Sequence, residues 1–117
     1  MSAETALIEQ YFDAFNRHDL DAVMACFADD AVVMAAPGRR IEGAQAIREY
    51  YDSMFNLFND ANCAIQALSG ADGKGFVESV FTGVRSDAGY PVRMVGVEVI
   101  ECQEERIREL RDYHLPA

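Results

Sequence analysis

The stretch Tyr11–Val33, YFDAFNRHDLDAVMACFADDAVV, decides the fold of this chain of 117 residues. Its first part continues a helix whose apolar residues recur at helical spacing: Leu7, Ile8, Tyr11, Phe12 and Phe15. Asp19 stands at the N-cap position of a second, short helix over about Leu20–Phe27. The acidic pair Asp29-Asp30 closes that helix before the β-branched pair Val32-Val33. The stretch therefore predicts two helices that lead directly into a strand.

The first half of the chain is predicted to hold three helices and one strand. Ser2 is placed to cap the first helix, which should end near Asn16. The strand, Ala31–Met34, should end at Pro37-Gly38, and the third helix follows Glu42-Gly43. This helix has an apolar face at three- and four-residue spacing, made of Ile47, Tyr50, Tyr51, Met54, Phe55 and Phe58.

From Asn62 onward the apolar period changes to two, which is typical of strands. A hairpin turn is expected at Gly73-Lys74-Gly75 and another turn at Ser86–Gly89. The strands after them should cover Phe76–Val84, Val92–Cys102, and Ile107 to about Tyr113. The pattern predicts a single α+β domain, residues 1–117, in which three helices cover one side of a cone-shaped, strongly curved and mostly antiparallel sheet. Such a sheet leaves a pocket at its open end.

Composition narrows the classes of partner. The net charge is −10, from 20 acidic and 10 basic residues, which disfavours binding to nucleic acid or to an anionic membrane surface. No apolar run approaches the roughly 18 residues of a membrane span, and the first residues show no secretory signal. The three cysteines lie among apolar residues, so we interpret them as reduced packing residues of a cytoplasmic protein.

Four polar residues fall where the periodicity predicts burial. Tyr11 and Tyr51 lie on the apolar faces of the first and third helices, and Glu98 interrupts an apolar strand face. Asp112 comes near the end of the last strand. A carboxyl group in an apolar cavity has a raised pKa and can donate a hydrogen bond, and a neighbouring tyrosine can complete an oxyanion hole. The histidines form no metal-ligand pattern, and His18 and His114 are both expected to be exposed. We therefore expect no metal and no cofactor.

The opening segment resembles the start of the cone-shaped family that includes nuclear transport factor, ketosteroid isomerases, SnoaL-type polyketide cyclases and limonene-type epoxide hydrolases. Within that family, Tyr11–Ala31 is similar to the first two helices of bacterial ketosteroid isomerases. The resemblance implies that Tyr11 corresponds to their oxyanion-hole tyrosine and Tyr51 to the tyrosine bonded to it. With one residue of difference in the turn Gln103-Glu104-Glu105, it implies that Glu98 corresponds to their protonated aspartate.

The resemblance leaves the proton-shuttling base of the isomerases without a counterpart, because that position falls on Ala35. The segment Leu110–Tyr113 resembles the last strand of limonene-type epoxide hydrolases, but their Arg-x-Asp pair would fall on Phe81 and Gly83. SnoaL-type cyclases also carry a catalytic aspartate at the position of Asp112. Asp112 is therefore the remaining candidate for a general base.

The predicted function is proton transfer on a small apolar, carbonyl-bearing substrate, of the isomerase or cyclase type. Tyr11, Glu98 and Asp112 are the candidate catalytic residues. The substrate-binding residues are expected to be Tyr51, Phe15, Met34, Phe55, Val80 and Met94.

Two alternatives stay open at this point. One is a protein of the same fold that binds a hydrophobic ligand without turning it over, which the missing base at Ala35 favours. The other is a structural dimer with a vestigial pocket. In each case we expect a homodimer, because the outer face of the sheet is predicted to expose an apolar patch. The residues assigned to that patch are Val77, Phe81, Val95, Val97 and Val99.

Overall fold

One six-stranded sheet and three helices make up the computed structural model, which describes residues 2–35 and 38–117. The helices are α1 (Ala3–Asn16), α2 (Leu20–Ala25) and α3 (Ala44–Leu57). The strands are β1 (Phe27–Ala35), β2 (Arg39–Glu42), β3 (Phe58–Ala71), β4 (Lys74–Arg85), β5 (Pro91–Gln103) and β6 (Arg106–Pro116). None of the described helices is both long and apolar enough to cross a membrane.

The helices begin where the sequence predicts caps. The Ser2 hydroxyl accepts a hydrogen bond from the Thr5 backbone N–H, and the Thr5 hydroxyl accepts one from the Ser2 N–H. The Asp19 carboxylate caps α2 by accepting from the Ala22 N–H. Gly43 precedes α3 with a φ of 87°, a conformation that a residue with a Cβ rarely adopts. These caps fix where each helix enters the sheet.

The strand order is β2-β1-β6-β5-β4-β3, and every neighbouring pair is antiparallel except β1 and β6, which are parallel. The sheet is therefore mixed, and it curls without closing. The helices cover its concave face, where the buried apolar side chains form one core. The predicted α+β class and the curved sheet under three helices are confirmed.

The predicted faces of β4 are wrong. Val77 and Phe81, expected on the outer face, are buried at 0% and 9% exposure, and Val80, expected toward the pocket, lies on the outer face. Both faces of β4 carry apolar residues, so alternation alone cannot orient this strand. Pairing with β5 decides it by placing Val77 beside Glu98 and Val80 beside Val95.

Several boundaries also differ from the prediction. β1 begins at Phe27, four residues before the expected start, and the β3–β4 turn is centred on Asp72-Gly73. Strand β2 was not predicted, because its sequence, Arg-Arg-Ile-Glu, is mostly charged and becomes a strand through pairing with β1. Pro37, expected to end the first strand, lies outside the described residues.

Candidate functional site

A cavity lies between the concave face of the sheet and helices α1 and α3. Its volume is about 150 Å³, the size of an apolar cavity that holds a single benzene ring. The apolar part of its lining is Phe15, Val33, Met54, Phe58, Phe81, Met94 and Leu110. The polar part is Tyr11, Tyr50, Tyr51, Cys63, Glu98, Asp112 and His114. The cavity can therefore hold a compact ligand against several ionisable groups.

Six of the nine sequence-predicted site residues line this cavity. They are Tyr11, Phe15, Tyr51, Met94, Glu98 and Asp112. They come from α1, α3, β5 and β6, so the fold brings together residues separated by as much as a hundred positions in sequence.

The other three predicted lining residues lie elsewhere. Val80 lies on the outer face of the sheet, as described above. The Met34 side chain lies on the opposite face of the sheet from that of its inward-facing neighbour Val33, near Arg111 and Tyr113. The Phe55 ring packs against Phe15 and stacks on His18, one layer behind the cavity wall.

Tyr11 and Tyr51 form a buried pair, with 2.6 Å between their hydroxyl oxygens. Burial raises the pKa of both phenols well above the usual value, and their mutual contact raises the pKa of Tyr11 further. Both hydroxyls therefore stay protonated at neutral pH. The two hydroxyl groups carry two hydrogens, and the hydrogen bond between them uses one. The other hydrogen can point toward a ligand.

Glu98 makes no hydrogen bond to Tyr11 or Tyr51, so the acid and the tyrosine pair belong to two separate hydrogen-bonded groups. The Ser79 hydroxyl donates a hydrogen bond of 2.6 Å to Glu98 Oε1. Burial raises the pKa of Glu98 to about 7, although the bond from Ser79 acts in the opposite direction. A neutral Glu98 is therefore available as an acid near neutral pH.

His114 is buried at 7% exposure, so its expected position on the surface is wrong. Its Nδ1 lies 2.5 Å from Asp112 Oδ1, and its Nε2 lies 2.9 Å from the Ser79 hydroxyl oxygen. The bond to Asp112 raises the pKa of His114 above the usual value. Glu98, Ser79, His114 and Asp112 thus form one continuous hydrogen-bonded series, called the polar chain below.

Asp112 takes part in this series rather than in a surface ion pair with its neighbour Arg111. The Arg111 guanidinium points to the other face of the sheet, where it pairs with Glu101 and Glu109. The Asp112 side chain keeps 29% of its surface exposed, so it reaches the cavity and remains open to water. Asp112 is therefore placed to exchange protons with both a ligand and solvent.

Gly96 explains how a side chain on β6 reaches β4. It lies in β5 directly between Ser79 and His114 in the register of the sheet. A Cβ added at Gly96 would lie 2.0 Å from the Tyr113 carbonyl oxygen and 2.6 Å from His114 Cα. The absence of a side chain at this position lets the His114 imidazole extend over β5 to Ser79.

Sequence reasoning missed Ser79 and His114 for identifiable reasons. The prediction assigns Ser79 to the wrong face of β4, and a serine between Glu78 and Val80 carries no signal by itself. His114 follows Asp112 at a spacing of two, which places both side chains on one face of a strand. That spacing was the available signal, and the position near the end of the chain obscured it.

The remaining ionisable groups around the cavity stay neutral. Burial raises the pKa of Tyr50 to about 12 and that of Cys63 to about 12, so the phenol and the thiol remain protonated. Among the described residues, no cluster of metal-ligating side chains is found. None of the described residues that line the cavity is a lysine or an arginine. The arrangement can donate and accept protons but offers no fixed cation.

A family model described as the SnoaL-like domain matches residues 8–110 of the chain. Similar folds occur in solved structures that share about a fifth of the sequence. A predicted polyketide cyclase from Xanthomonas campestris has a TM-score of 0.86 at 23% identity, with 95% of this chain and 89% of that chain covered. An LEH-like epoxide hydrolase from M. tuberculosis has a TM-score of 0.85 at 20% identity, covering 97% and 83%.

A third similar structure was solved with a small molecule bound. It is a protein of ketosteroid-isomerase-like fold from Catenulispora acidiphila, in complex with trimethylamine. Its TM-score is 0.81 at 20% identity, with 92% of this chain and 83% of that chain covered. At these identities the likeness concerns the fold alone.

Proposed function

Since the chain belongs to the SnoaL-like domain family, we propose that it is a cofactor-independent enzyme that moves a proton on a small carbonyl compound. The observation that carries the proposal is the set of groups facing one ring-sized cavity. Asp112 is a carboxyl group open to solvent, Glu98 is a carboxyl group with a raised pKa, and the tyrosine pair holds a spare hydroxyl hydrogen. A base and two acids on one cavity suit enolisation followed by reprotonation.

In the proposed reaction, Asp112 removes a proton from the carbon next to the substrate carbonyl. Negative charge then develops on the carbonyl oxygen, and the spare hydrogen of the Tyr11–Tyr51 pair stabilises it. The apolar lining strengthens that hydrogen bond because it keeps the effective dielectric constant low. Glu98, in its protonated form, returns a proton to another carbon of the enolate. Ala35 needs no replacement in this scheme, because the base comes from β6.

The test uses cyclohex-3-en-1-one, a single-ring ketone whose size suits the cavity. We expect the protein to convert it to the conjugated cyclohex-2-en-1-one, followed by ultraviolet absorbance, and to exchange its C2 protons with deuterium oxide, followed by NMR. Tyr11→Phe should slow the conversion, because it removes one hydroxyl of the pair that stabilises the enolate. A control variant, Phe55→Leu, changes the layer behind the cavity. Conversion and exchange no faster than in buffer would refute the proposal for this substrate class.

Binding without turnover is the second candidate. The similar structure with bound trimethylamine favours it, since that small amine would fit a cavity of this volume with acidic and aromatic walls. Titration with trimethylammonium chloride, followed by NMR shifts of the methionine methyl groups in the cavity, would identify such a binding protein. Binding together with an absence of conversion and exchange would favour this candidate over the enzyme.

We also propose a homodimer formed through the outer patch, the apolar residues on the convex face of β4, β5 and β6. The patch consists of Phe76, Val80, Val95, Val97, Tyr113 and Leu115. Tyr113 and Leu115 are 58% and 71% exposed, which is unusual for such large apolar side chains. A second copy that presents the same patch would cover it by two-fold symmetry. The patch differs from the expected one in three ways: Phe76 and Val80 replace Val77 and Phe81 on β4, Tyr113 and Leu115 of β6 are added, and the half-buried Val99 is left out.

The proposed dimer can be tested by comparing the mass of the wild-type protein in solution with that of surface variants. Wild-type protein at micromolar concentration should sediment as a dimer, and Val97→Arg should sediment as a monomer, because it places a charge at the centre of the patch. Gln10→Arg adds the same charge on an exposed position of α1 and should remain dimeric. A monomeric wild type, or a dimeric Val97→Arg protein, would contradict this arrangement.

A further inference from the structure

We propose that Ser79 and His114 act as a proton relay between the two carboxyl groups of the cavity, so that the polar chain as a whole shares one proton. The three contacts of the chain measure 2.6 Å, 2.9 Å and 2.5 Å from Glu98 to Asp112. The two ends of the chain line the cavity, whereas Ser79 is fully buried behind it. A proton can therefore travel between the two acidic groups without entering the cavity.

The hydrogen-bond capacities of the four groups allow two opposite directions of donation. In one, protonated Glu98 donates to the Ser79 hydroxyl, the hydroxyl donates to His114 Nε2, and Nδ1–H donates to ionised Asp112. In the other, protonated Asp112 donates to Nδ1, Nε2–H donates to the hydroxyl, and the hydroxyl donates to ionised Glu98. Three protons each cross one hydrogen bond between the two states, and both states carry a net charge of −1. Every bond of the chain is satisfied in both.

A third placement puts the proton on the imidazole. His114 then donates from both nitrogens, to Asp112 and to the Ser79 hydroxyl, and the hydroxyl donates to ionised Glu98. His114 Nε2 also lies 3.2 Å from the Ser79 carbonyl oxygen, which can only accept. That carbonyl favours a hydrogen on Nε2, which the imidazolium provides, so this placement lets the proton pass on to either carboxyl group.

The described groups around the polar chain do not compete with it for the shared proton. From β3, Cys63 Sγ lies 3.8 Å from the Ser79 hydroxyl oxygen, and its raised pKa keeps it neutral. From α1 and α3, the three cavity tyrosines face the chain as neutral phenols. The neighbouring Arg111 is paired on the other face of the sheet. Glu98, His114 and Asp112 are thus the groups that can take the proton.

The relay rests on the proposed function for its role in turnover. After one isomerisation, Asp112 has gained the proton from C2 of the substrate, and Glu98 has lost its own to C4. Reversal of donation along the polar chain restores both groups without the help of bulk water. Deuterium exchange at C2 needs Asp112 alone, because its side chain is open to solvent. The ratio of isomerisation to exchange therefore reports on the relay.

The kinetic experiment compares Ser79→Ala with Ser79→Thr on cyclohex-3-en-1-one. Ser79→Ala cuts the chain, so we expect the ratio of isomerisation to exchange to fall about tenfold or more. Ser79→Thr keeps a hydroxyl and should restore the ratio. Ser86→Ala removes a hydroxyl that bonds the Asn56 and Leu57 carbonyls and belongs to no residue lining the cavity, and it should leave the ratio unchanged. An unchanged ratio in Ser79→Ala would overturn the relay.

The ratio should also depend on pH. The pKa of Glu98 is raised to about 7, so its acid form, which delivers the proton, is lost as the pH rises through that value. Isomerisation should accordingly fall relative to exchange above about pH 7, and Glu98→Gln should abolish this dependence. A ratio that stays constant between pH 6 and pH 8 would contradict delivery by Glu98.

A second experiment needs no substrate and separates the relay from the proposed function. NMR of the ¹³C-labelled Glu98 carboxyl and the ¹⁵N-labelled His114 ring should show both groups shifting together as the first proton is taken up from alkaline pH. If only one group shifted during uptake of the first proton, the proton would be bound at that group alone, and sharing would be refuted. Shared titration without any turnover would refute the proposed function but would still support proton sharing along the polar chain.

Discussion

Replacing Asp112 with asparagine should lower the rate of cyclohex-3-en-1-one isomerisation by about 10²–10⁴-fold, the usual contribution of a positioned general base. Asparagine keeps the shape of the side chain and can still accept a hydrogen bond from His114 Nδ1, but it cannot take a proton from carbon. Exchange at C2 should fall by a similar factor, since both reactions begin with the same proton transfer. The measurement is kcat/KM from ultraviolet absorbance, together with the exchange rate from NMR.

The matched control for this change is Asp52→Asn, which makes the same substitution at an exposed position of α3. It should retain the wild-type rate. Circular dichroism should show that both variants are folded, so that a loss of rate reports on chemistry. If Asp112→Asn isomerised the ketone at the wild-type rate, the base would have to be another group, and the assignment of Asp112 would be wrong.

The second large effect is expected from Gly96→Ala, and it concerns stability. The new methyl group would lie 2.0 Å from the Tyr113 carbonyl oxygen, and this backbone atom cannot move without opening the pairing between β5 and β6. Overpacking of this kind costs about 1–3 kcal/mol and occasionally more, and we expect the upper end because the obstacle is backbone. Urea denaturation followed by circular dichroism would measure the loss in free energy of unfolding.

Gly83→Ala is the matched control, because it makes the same substitution in the neighbouring strand β4. The nearest atoms to its new methyl group are 3.2 Å away in the Phe58 side chain, so a shift of a few tenths of an ångström would relieve the contact. Its cost should be clearly smaller than that of Gly96→Ala. Equal losses for the two variants would mean that the tight contact at Gly96 does not govern the stability of this part of the sheet.

The sequence predicts the helices of this fold better than the faces of its strands. Helical periodicity places Tyr11 and Tyr51 on the inner faces of α1 and α3 without knowledge of any partner, because a helix face is defined by its own residues. In both β4 and β5 the two faces carry apolar residues, so alternation alone does not orient either strand. The prediction places Glu98 and Met94 of β5 on the correct face and the residues of β4 on the wrong one, and only cross-strand pairing shows which face is buried.

The polar chain illustrates a second limit of sequence reasoning. Its members come from β4, β5 and β6, and their contact depends on the register of three strands and on an empty position at Gly96. Local propensity cannot supply that register. The sequence alone identified Glu98 and Asp112 because carboxyl groups at positions of expected burial are conspicuous. It did not identify Ser79, since a small buried serine is ordinary until its partners are known.

The negative charge of the cavity wall has a consequence for selectivity. Carboxylates and phosphates, which are the common charged groups of small metabolites, would enter a space that holds an anionic chain and no described lysine or arginine. Each would lose its hydration and gain no net counter-charge, because the polar chain as a whole is negative, so the protein would exclude them by an electrostatic penalty rather than by shape. A ketone or an enol is neutral and avoids this penalty, and a protonated amine is attracted by the negative polar chain. The groups that transfer the proton therefore also set the selectivity of the cavity, which favours neutral and cationic molecules over anionic ones.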